Sequence, residues 1–205
     1  MARSRTPRDR RAEILAVAGP LFVANGYQGT SMSEIAAAVG GSKGTLYTYF
    51  PRKEALFEAV ILQRTQERAA IVFEFPAHTR DLRTVLTRFG LRYLELVVDE
   101  SSVTLLRLLY NEAPRFPEIG RIFHERCILV GRRQLAAYLA LAQRNGELAA
   151  CDPDMTAEQF LMLCHAKVHM ARMLCVQPAI TADEAEEVVN AAVATFLAAH
   201  GANRE

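Results

Sequence analysis

The sequence predicts an all-α fold, with about nine helices divided between two domains. Apolar residues recur at steps of three and four along most of the 205 residues, which is the spacing of an amphipathic helix. Proline and glycine fall between these periodic segments, as at Phe75-Pro76, and no segment alternates like a strand. We therefore expect one helical domain at residues 8–68 and a second at residues 69–205.

Residues 30–53, TSMSEIAAAVGGSKGTLYTYFPRK, contain two short helical patterns that are joined by a glycine turn. Ser31 is placed to cap the first helix, and Glu34, three residues later, completes a capping box. The glycine pair at 40–41 ends that helix, because glycine readily adopts the left-handed backbone of a helix C-terminus. Ser42 can then cap the second helix. This order is the helix-turn-helix layout, whose second helix enters the DNA major groove.

The side chains of these two helices divide into an apolar inner set and a polar outer set. The inner set is Met32, Ile35, Ala36, Val39, Leu46 and Phe50. The outer positions of the second helix are small, hydroxylic, basic or aromatic, and none is acidic: Ser42, Lys43, Gly44, Thr45, Tyr47 and Tyr49. Such a face can approach phosphates and base edges without charge repulsion.

The stretch SMSEIAAAVGGSKGTLYTYFPRKEALF, residues 31–57, resembles the DNA-binding signature of the TetR family of transcriptional repressors almost position by position. Gly41 departs from the family pattern, which usually has a branched apolar residue before the serine, and this change removes a small core contact. The resemblance covers residues 8–60 strongly and implies a three-helix DNA-binding domain. Its first helix is the apolar pattern at 8–25, which contains Pro20 and should be kinked there.

The residue types and the resemblance predict nine DNA contacts: Thr30, Ser31, Ser42, Lys43, Gly44, Thr45, Tyr47, Tyr49 and Lys53. Residues 43–45 should read bases, because the N-terminal residues of a recognition helix reach base edges. Tyr47, one turn further along, can reach a base or a phosphate, and phosphate is slightly favoured. Lys53 begins the next helix, where a phosphate would relieve its unfavourable interaction with the helix dipole; the matching lysine in the family contacts DNA. Alternatively, Gly44 and Thr45 only shape the start of the helix.

The net charge of the chain is only +1, but the charge is unevenly distributed. Arginines crowd residues 3–11 and carboxylates crowd residues 183–187. Residues 1–7 are either a basic arm that touches DNA or a solvated tail. We find neither a signal peptide nor a membrane-spanning run, and the four cysteines lack metal-site spacing, so we expect a cytoplasmic protein with reduced thiols and no membrane partner.

The second domain should hold a ligand pocket between helices predicted at 81–99, 102–111, 119–145, 155–176 and 182–199. The stretch NEAPRFPEIGRIF, which begins at Asn111, resembles the AefR-like regulatory domain within the TetR family. Polar residues on otherwise apolar helices are the candidate ligand contacts: Tyr93, Arg107, Tyr110, His124, Cys127, His165 and His169. The last two have metal-ligand spacing but lack the glutamate of H-E-x-x-H, so no metal or cofactor is predicted.

The last two predicted helices carry more apolar surface than a single core can hide, so we expect them to pack against a second subunit. The resemblance implies the same four-helix dimer interface. Its candidate residues are Phe160, Val168, Ala185, Val189, Ala192 and Phe196. A homodimer would bring two recognition helices to a near-palindromic operator.

The sequence therefore predicts a transcriptional regulator, a repressor that releases its double-stranded DNA operator on binding a small apolar or amphipathic effector of unknown identity. No nucleophile elbow, phosphate loop or dinucleotide fingerprint indicates an enzyme. The alternative is a helical small-molecule-binding protein or enzyme in which the helix-turn-helix is only structural.

Overall fold

The computed structural model describes residues 7–76 and 81–202. These residues form eleven α-helices and one π-helical turn, which confirms the all-α class with somewhat more helices than the nine expected. The predicted basic arm, apart from Pro7, lies outside the described residues. An isolated bridge between Leu148 and Gly201 is the β-type pairing recorded in the described part of the chain.

The first four helices are α1 (Pro7–Gly29), α2 (Met32–Ala38), α3 (Lys43–Tyr49) and α4 (Lys53–Val72). The break within α1 falls at Gly26, with φ 76° and ψ 170°, and not at the predicted kink site, Pro20. This backbone region is essentially restricted to glycine, so Gly26 decides where α1 changes direction before the helix-turn-helix.

The remaining helices are α5 (Leu82–Val98), α6 (Glu100–Glu112), α7 (Pro117–Phe123), α8 (Leu129–Arg144), α9 (Pro153–His165), α10 (His169–Met173) and α11 (Ala182–His200). Two of the predicted long helices are interrupted. A π-helical turn, His124–Ile128, separates α7 from α8, and a three-residue turn separates α9 from α10. Apolar periodicity continues across both interruptions, which is why the sequence pattern did not reveal them.

The chain forms two compact units. The N-terminal unit contains the described residues up to Gln66 together with Thr104–Cys127, and the C-terminal unit contains Glu67–Val103 and the described residues from Ile128 onward. The N-terminal unit thus includes a stretch of α6 and all of α7, which the proposed domain 8–68 leaves out.

Each unit has its own apolar core. In the N-terminal unit, Tyr27 packs against Phe22, Phe57 and Phe116, with ring centroids 5.1–5.9 Å apart, within the range that aromatic pairs prefer. Tyr27 is 2% exposed, so its ring belongs to the core of this unit. The core of the C-terminal unit combines buried residues of α5, α8, α9 and α11.

Candidate nucleic-acid interface

Helix α2 is fixed at both ends by the residues that the sequence indicated. The Ser31 hydroxyl accepts a hydrogen bond from the Glu34 N–H at 3.1 Å, and the Glu34 carboxylate accepts one from the Ser31 N–H at 3.5 Å. Gly40 ends the helix with φ 68°. The predicted capping box and glycine turn are therefore confirmed, and they set the angle at which α3 follows α2.

Helix α3 presents a short polar face over a buried apolar anchor. Ser42 caps it by accepting a hydrogen bond from the Thr45 N–H at 3.1 Å, and Leu46 and Phe50 are each 3% exposed. The side chains from Lys43 to Thr45 are exposed, and Tyr47 is 48% exposed. The first turn of α3 therefore faces solvent with no carboxylate on it.

Three further features of α3 bear on the predicted contacts. The Thr45 hydroxyl lies 2.9 Å from the Ser42 hydroxyl, so Thr45 also helps to shape the start of the helix. Tyr49 is half-buried against the apolar core. Thr48 is exposed and lies one turn after Gly44. The Thr48 hydroxyl donates a hydrogen bond to the Gly44 carbonyl at 3.0 Å. Thr48 was not among the predicted contacts, although it lies on the outer face of α3.

Arg10 explains the unusual glycine at position 41. A Cβ atom built on Gly41 would overlap the guanidinium group of Arg10. This group also forms an ion pair with Glu13 at 2.7 Å and donates to the Val39 carbonyl at 3.5 Å. Arg10 therefore fills space that the branched apolar residue of the family pattern would otherwise occupy.

Thr30 must be corrected as a DNA contact. Its side chain is fully buried, and its hydroxyl donates to the carbonyl oxygens of Gly26 at 2.8 Å and Leu21 at 3.1 Å. The hydroxyl is buried and donates within the protein, so it is not available to a phosphate. Ser31, the next residue, is exposed.

Lys53 is half-buried at the start of α4. Its ammonium group donates to the Thr30 carbonyl at 2.9 Å and lies 4.4 Å from the centroid of the Tyr27 ring. Burial lowers the pKa of this ammonium group, while the carboxylates of Glu54 and Glu112 act in the opposite direction. Lys53 thus connects α4 to the segment before α2. If it contacts a phosphate, it does so with an ammonium group that is already hydrogen-bonded to the Thr30 carbonyl.

The seven candidate ligand contacts divide between the two units, so no pocket of one unit contains them all. Tyr93, His165 and His169 belong to the C-terminal unit, and Arg107, Tyr110, His124 and Cys127 belong to the N-terminal unit. Within the second group, Tyr110 is 64% exposed and the Cys127 thiol lies 3.4 Å from the Thr65 hydroxyl.

The C-terminal group forms a cluster of neutral polar rings. The ring centroids of His165 and His169 are 4.9 Å apart, and those of His165 and Tyr93 are 5.9 Å apart. Burial and the neighbouring His169 lower the pKa of His165 to about 4, so His165 is uncharged near neutral pH. Among the described residues, no group of three or more metal-type side chains converges here or elsewhere.

The candidate dimer residues also need correction. Five of the six, namely Phe160, Val168, Val189, Ala192 and Phe196, are at most 4% exposed in the single chain, and Ala185 is half-buried. They form the core between α9, α11 and their neighbours, because large apolar residues on adjacent helices first satisfy the chain's own packing.

The solvent-facing sides of α9 and α11 form a shallow apolar groove of about 460 Å³. Its lining includes Met162, Ala166, Thr195 and Ala199. Met162 is 49% exposed, and Ala166, Thr195 and Ala199 are also exposed. If these two helices form an interface, its surface consists of these residues and not of the buried set.

Comparison with known families agrees with this architecture. Residues 14–60 match the family described as bacterial regulatory proteins, tetR family. Residues 84–202 match the C-terminal domain of AefR-like transcriptional repressors. The chain belongs to the TetR family.

Individual members of the TetR family resemble this chain over most of its length. The transcriptional regulator UidR of Escherichia coli K12 is 35% identical over 155 residues, covering 71% of this chain and 70% of UidR. The solved structure of the flavonoid-responsive regulator FrrA has 31% identity and a TM-score of 0.82, covering 96% and 98%. GusR of Salmonella enterica has 27% identity and a TM-score of 0.70, also covering 96% and 98%.

These comparisons establish the function class. The chain is a helix-turn-helix transcriptional regulator and not an enzyme, because its family and its relatives are regulators. TetR-family regulators bind operator DNA and typically act as dimers. In the part of the chain that the structure describes, no helix has the length and apolar character needed to cross a membrane.

Proposed function

We propose that this regulator is a repressor that binds a near-palindromic operator as a homodimer and releases it when a small molecule binds the C-terminal unit. The observation that carries the proposal is the first turn of α3, which is exposed, free of carboxylates and held by a buried anchor at Leu46 and Phe50. A rigid support of this kind lets a short helix enter the major groove in one orientation.

The proposed base-reading residues are Lys43, Gly44, Thr45 and Tyr47, because they occupy the exposed start of α3. Lysine can donate to guanine, and threonine can contact thymine through its methyl group or either base edge through its hydroxyl. Ser31, Ser42 and Tyr49 are proposed to position the DNA backbone. Lys53 is a proposed phosphate contact whose anchored ammonium group would supply charge but no sequence information.

A homodimer supports operator recognition by pairing two copies of α3. Two reading helices related by a two-fold axis match half-sites about 34–36 Å apart, or a multiple of that distance. We propose that the second copy packs on the solvent-facing groove of α9 and α11. An effector that binds better to the form with poorly spaced helices would lower operator affinity by its difference in affinity for the two forms.

The effector is proposed to be small, amphipathic and aromatic. The name of FrrA, a flavonoid-responsive regulator that is similar to this chain over 96% of its residues, supports an aromatic class. The cluster of Tyr93, His165 and His169 supports an amphipathic one, since neutral rings can exchange hydrogen bonds with hydroxyl groups.

Binding-site selection on random DNA tests the proposed reading of bases. Lys43→Ala and Thr45→Ala should each relax the base preference at particular operator positions, by about 1–3 kcal/mol for a lost good contact. Lys167→Ala is the matched control, since Lys167 is an exposed lysine of α9–α10 that pairs with Glu187. If both α3 variants return the parental preference matrix with uniformly lower affinity, these side chains contact phosphates and the assignment is wrong.

A further inference from the structure

A charged side chain of α1 is packed at the turn that leads into α3. The Arg10 guanidinium group forms an ion pair with Glu13 at 2.7 Å and donates to the Val39 carbonyl at 3.5 Å. The side chain of Arg10 is only 15% exposed. Val39 is the C-cap of α2, so its carbonyl is one of those that a helix leaves without an intrahelical partner. One guanidinium group thus joins α1 to the end of α2, directly before α3 begins.

The same guanidinium group takes the place of a side chain at Gly41. A Cβ atom built on Gly41 would overlap it. The backbone does not require glycine here, since Gly41 is outside the left-handed region that the neighbouring Gly40 occupies with φ 68°. It is therefore Arg10, and not the geometry of the turn, that keeps a side chain out of position 41.

The packing around the guanidinium group is almost complete. A crevice of about 10 Å³ remains between α1, α2 and α3, and its lining includes Arg10, Ser42 and Thr45. A cavity of about 10–15 Å³ is the smallest that holds one water molecule, so little free space is left at this point. Arg10 is thus closely packed against the residues that begin α3.

The other anchors of α3 lie beyond its first turn. Leu46 and Phe50 are each 3% exposed and belong to the core of the N-terminal unit. Arg11, the next residue of α1, has its guanidinium carbon 5.2 Å from the centroid of the Phe50 ring. The middle and the end of α3 are therefore held by the core and by Arg11, whereas Arg10 lies at the beginning of the helix.

The first turn of α3 carries the exposed residues Lys43, Gly44 and Thr45, which are proposed to read bases. Leu46 lies about 4.5 Å along the helix axis from Lys43, because an α-helix rises about 1.5 Å per residue. A tilt of about 10–20° around the Leu46 anchor would therefore move the first turn by roughly 1 Å, whereas a binding site needs its contact groups held within about 0.5 Å. Base reading thus depends on what fixes this turn.

We propose that Arg10 is a positioning residue for operator recognition. By filling the space at Gly41 it fixes the first turn of α3, and it thereby determines which bases this helix selects. This inference rests on the proposed function, because it concerns the same recognition helix. Arg10 acts through α3 and does not itself contact DNA, since its guanidinium group is engaged by Glu13 and the Val39 carbonyl. Loss of this group should reduce sequence discrimination more than general affinity for DNA.

The ratio of the affinities for the selected operator and for a scrambled duplex of equal length tests this role in the full chain. Arg10→Ala should lower the ratio by about tenfold, near the low end for one lost base contact, while binding to the scrambled duplex keeps its affinity and salt slope. Gly41→Val alone should also lower the ratio, because it displaces the guanidinium group. In the double variant the valine fills the vacated space, so the ratio should return toward the parental value.

Arg126→Ala is the matched control, because Arg126 is an arginine of the N-terminal unit that is 61% exposed and pairs with Glu58. It should leave the ratio unchanged. Thermal melting verifies that each variant is folded. If Arg10→Ala does not fold, Arg10→Lys replaces it, since lysine keeps the charge but lacks the planar group that reaches Glu13 and position 41 together.

Two results would overturn the proposal. An equal loss of affinity on both duplexes, with a salt slope lower by roughly 1, would make Arg10 a phosphate contact. A parental ratio in the folded Arg10 variant, or no recovery in the double variant, would mean that the filled space at position 41 does not set base selection. Either result contradicts this inference alone, whereas a parent without salt-dependent operator binding contradicts the proposed function and this inference with it.

Discussion

At the scale of single residues, two glycines, Gly41 and Gly44, influence the surface that α3 exposes as much as its side chains do. Gly44 has open space around it on the protein side: the nearest atom to a Cβ built there is the Ser42 Oγ, at 3.7 Å. Gly41 has the opposite surroundings, because Arg10 occupies the space of its absent side chain. The two glycines therefore respond to substitution for different reasons.

Gly44→Ala should separate DNA contact from folding. The methyl group makes only an ordinary van der Waals contact, with the Ser42 Oγ, and alanine favours a helix more than glycine, so the melting temperature should not fall. If the α3 backbone approaches the groove wall at this point, operator affinity should fall about tenfold or more, within the range for a lost good base contact. An electrophoretic mobility shift assay with the selected operator measures this affinity. Unchanged affinity would place Gly44 away from the DNA.

Arg10 and Gly41 should behave as a coupled pair. Gly41→Val alone should displace the Arg10 guanidinium group, and the N-terminal unit should lose stability to the extent that the ion pair with Glu13 and the hydrogen bond to the Val39 carbonyl are broken. In an Arg10→Ala background the same substitution should be tolerated, giving a coupling energy of about 1–2 kcal/mol in a double-mutant cycle. Urea unfolding of the four proteins measures this energy. Additive effects would show that Arg10 does not fill the space.

At the scale of elements, one buried arginine joins four backbone and side-chain partners of the C-terminal unit. Arg172 of α10 donates to the carbonyl of Val98, the last residue of α5, at 3.1 Å and pairs with Glu100 at 2.9 Å. It also donates to the carbonyls of Gln177 and Pro178 in the connection to α11. Arg172 thus satisfies helix-terminal and loop carbonyls that are shielded from water.

Arg172→Met should therefore lower the free energy of unfolding by about 2 kcal/mol, because it leaves several carbonyls without donors while keeping most of the apolar stem. The side chain of Glu100 is 72% exposed, so its carboxylate can return to water and adds little to this cost. Lys167→Met is the control, since both side chains of the Lys167–Glu187 pair are more than half exposed. Its effect should stay within about 0.5 kcal/mol by chemical denaturation. If Arg172→Met and Lys167→Met lower the free energy of unfolding equally, the hydrogen bonds of Arg172 do not stabilise the C-terminal unit.

At the scale of the whole molecule, the solvent-facing sides of α9 and α11 differ in composition. Among their exposed apolar and small residues, α9 contributes Met155 and Met162, whereas α11 contributes Ala191, Ala194, Thr195, Ala198 and Ala199. Exposed polar residues lie beside them, namely Glu158 and Gln159 of α9 and Asp183, Glu186, Glu187 and Asn190 of α11. Small residues allow a helix from another subunit to approach closely, and methionine adapts to the surface it meets. This combination is the physical basis for the proposed homodimer.

Met162→Glu should convert the proposed dimer into folded monomers, because it places a charge in an apolar interface without changing the core of the chain. Sedimentation velocity measures the change in mass, and circular dichroism confirms folding. Ile71→Glu is the control, because Ile71 is 61% exposed and lies on α4, away from the groove. By contrast, Phe196→Glu should unfold the chain, since Phe196 is 1% exposed. A Met162→Glu variant that remains dimeric would place the interface elsewhere.

Local interactions are what the sequence determined by itself. The caps at Ser31 and Ser42 and the glycine turn at Gly40 all involve residues within a few positions of one another. Sequence spacing states such contacts directly, because a capping hydrogen bond joins residues three apart. The helix-turn-helix and the family could therefore be predicted before the structure was known.

The tertiary structure decided which polar and apolar groups meet when they are distant in sequence. Sequence periodicity shows that Phe196 and Met162 lie on apolar helix faces, but it does not show which face the chain itself covers. Likewise, only packing reveals that Arg10 replaces a side chain at Gly41 and that Phe73 fills a slot over Gly131. These contacts depend on three-dimensional volume, which periodicity does not contain.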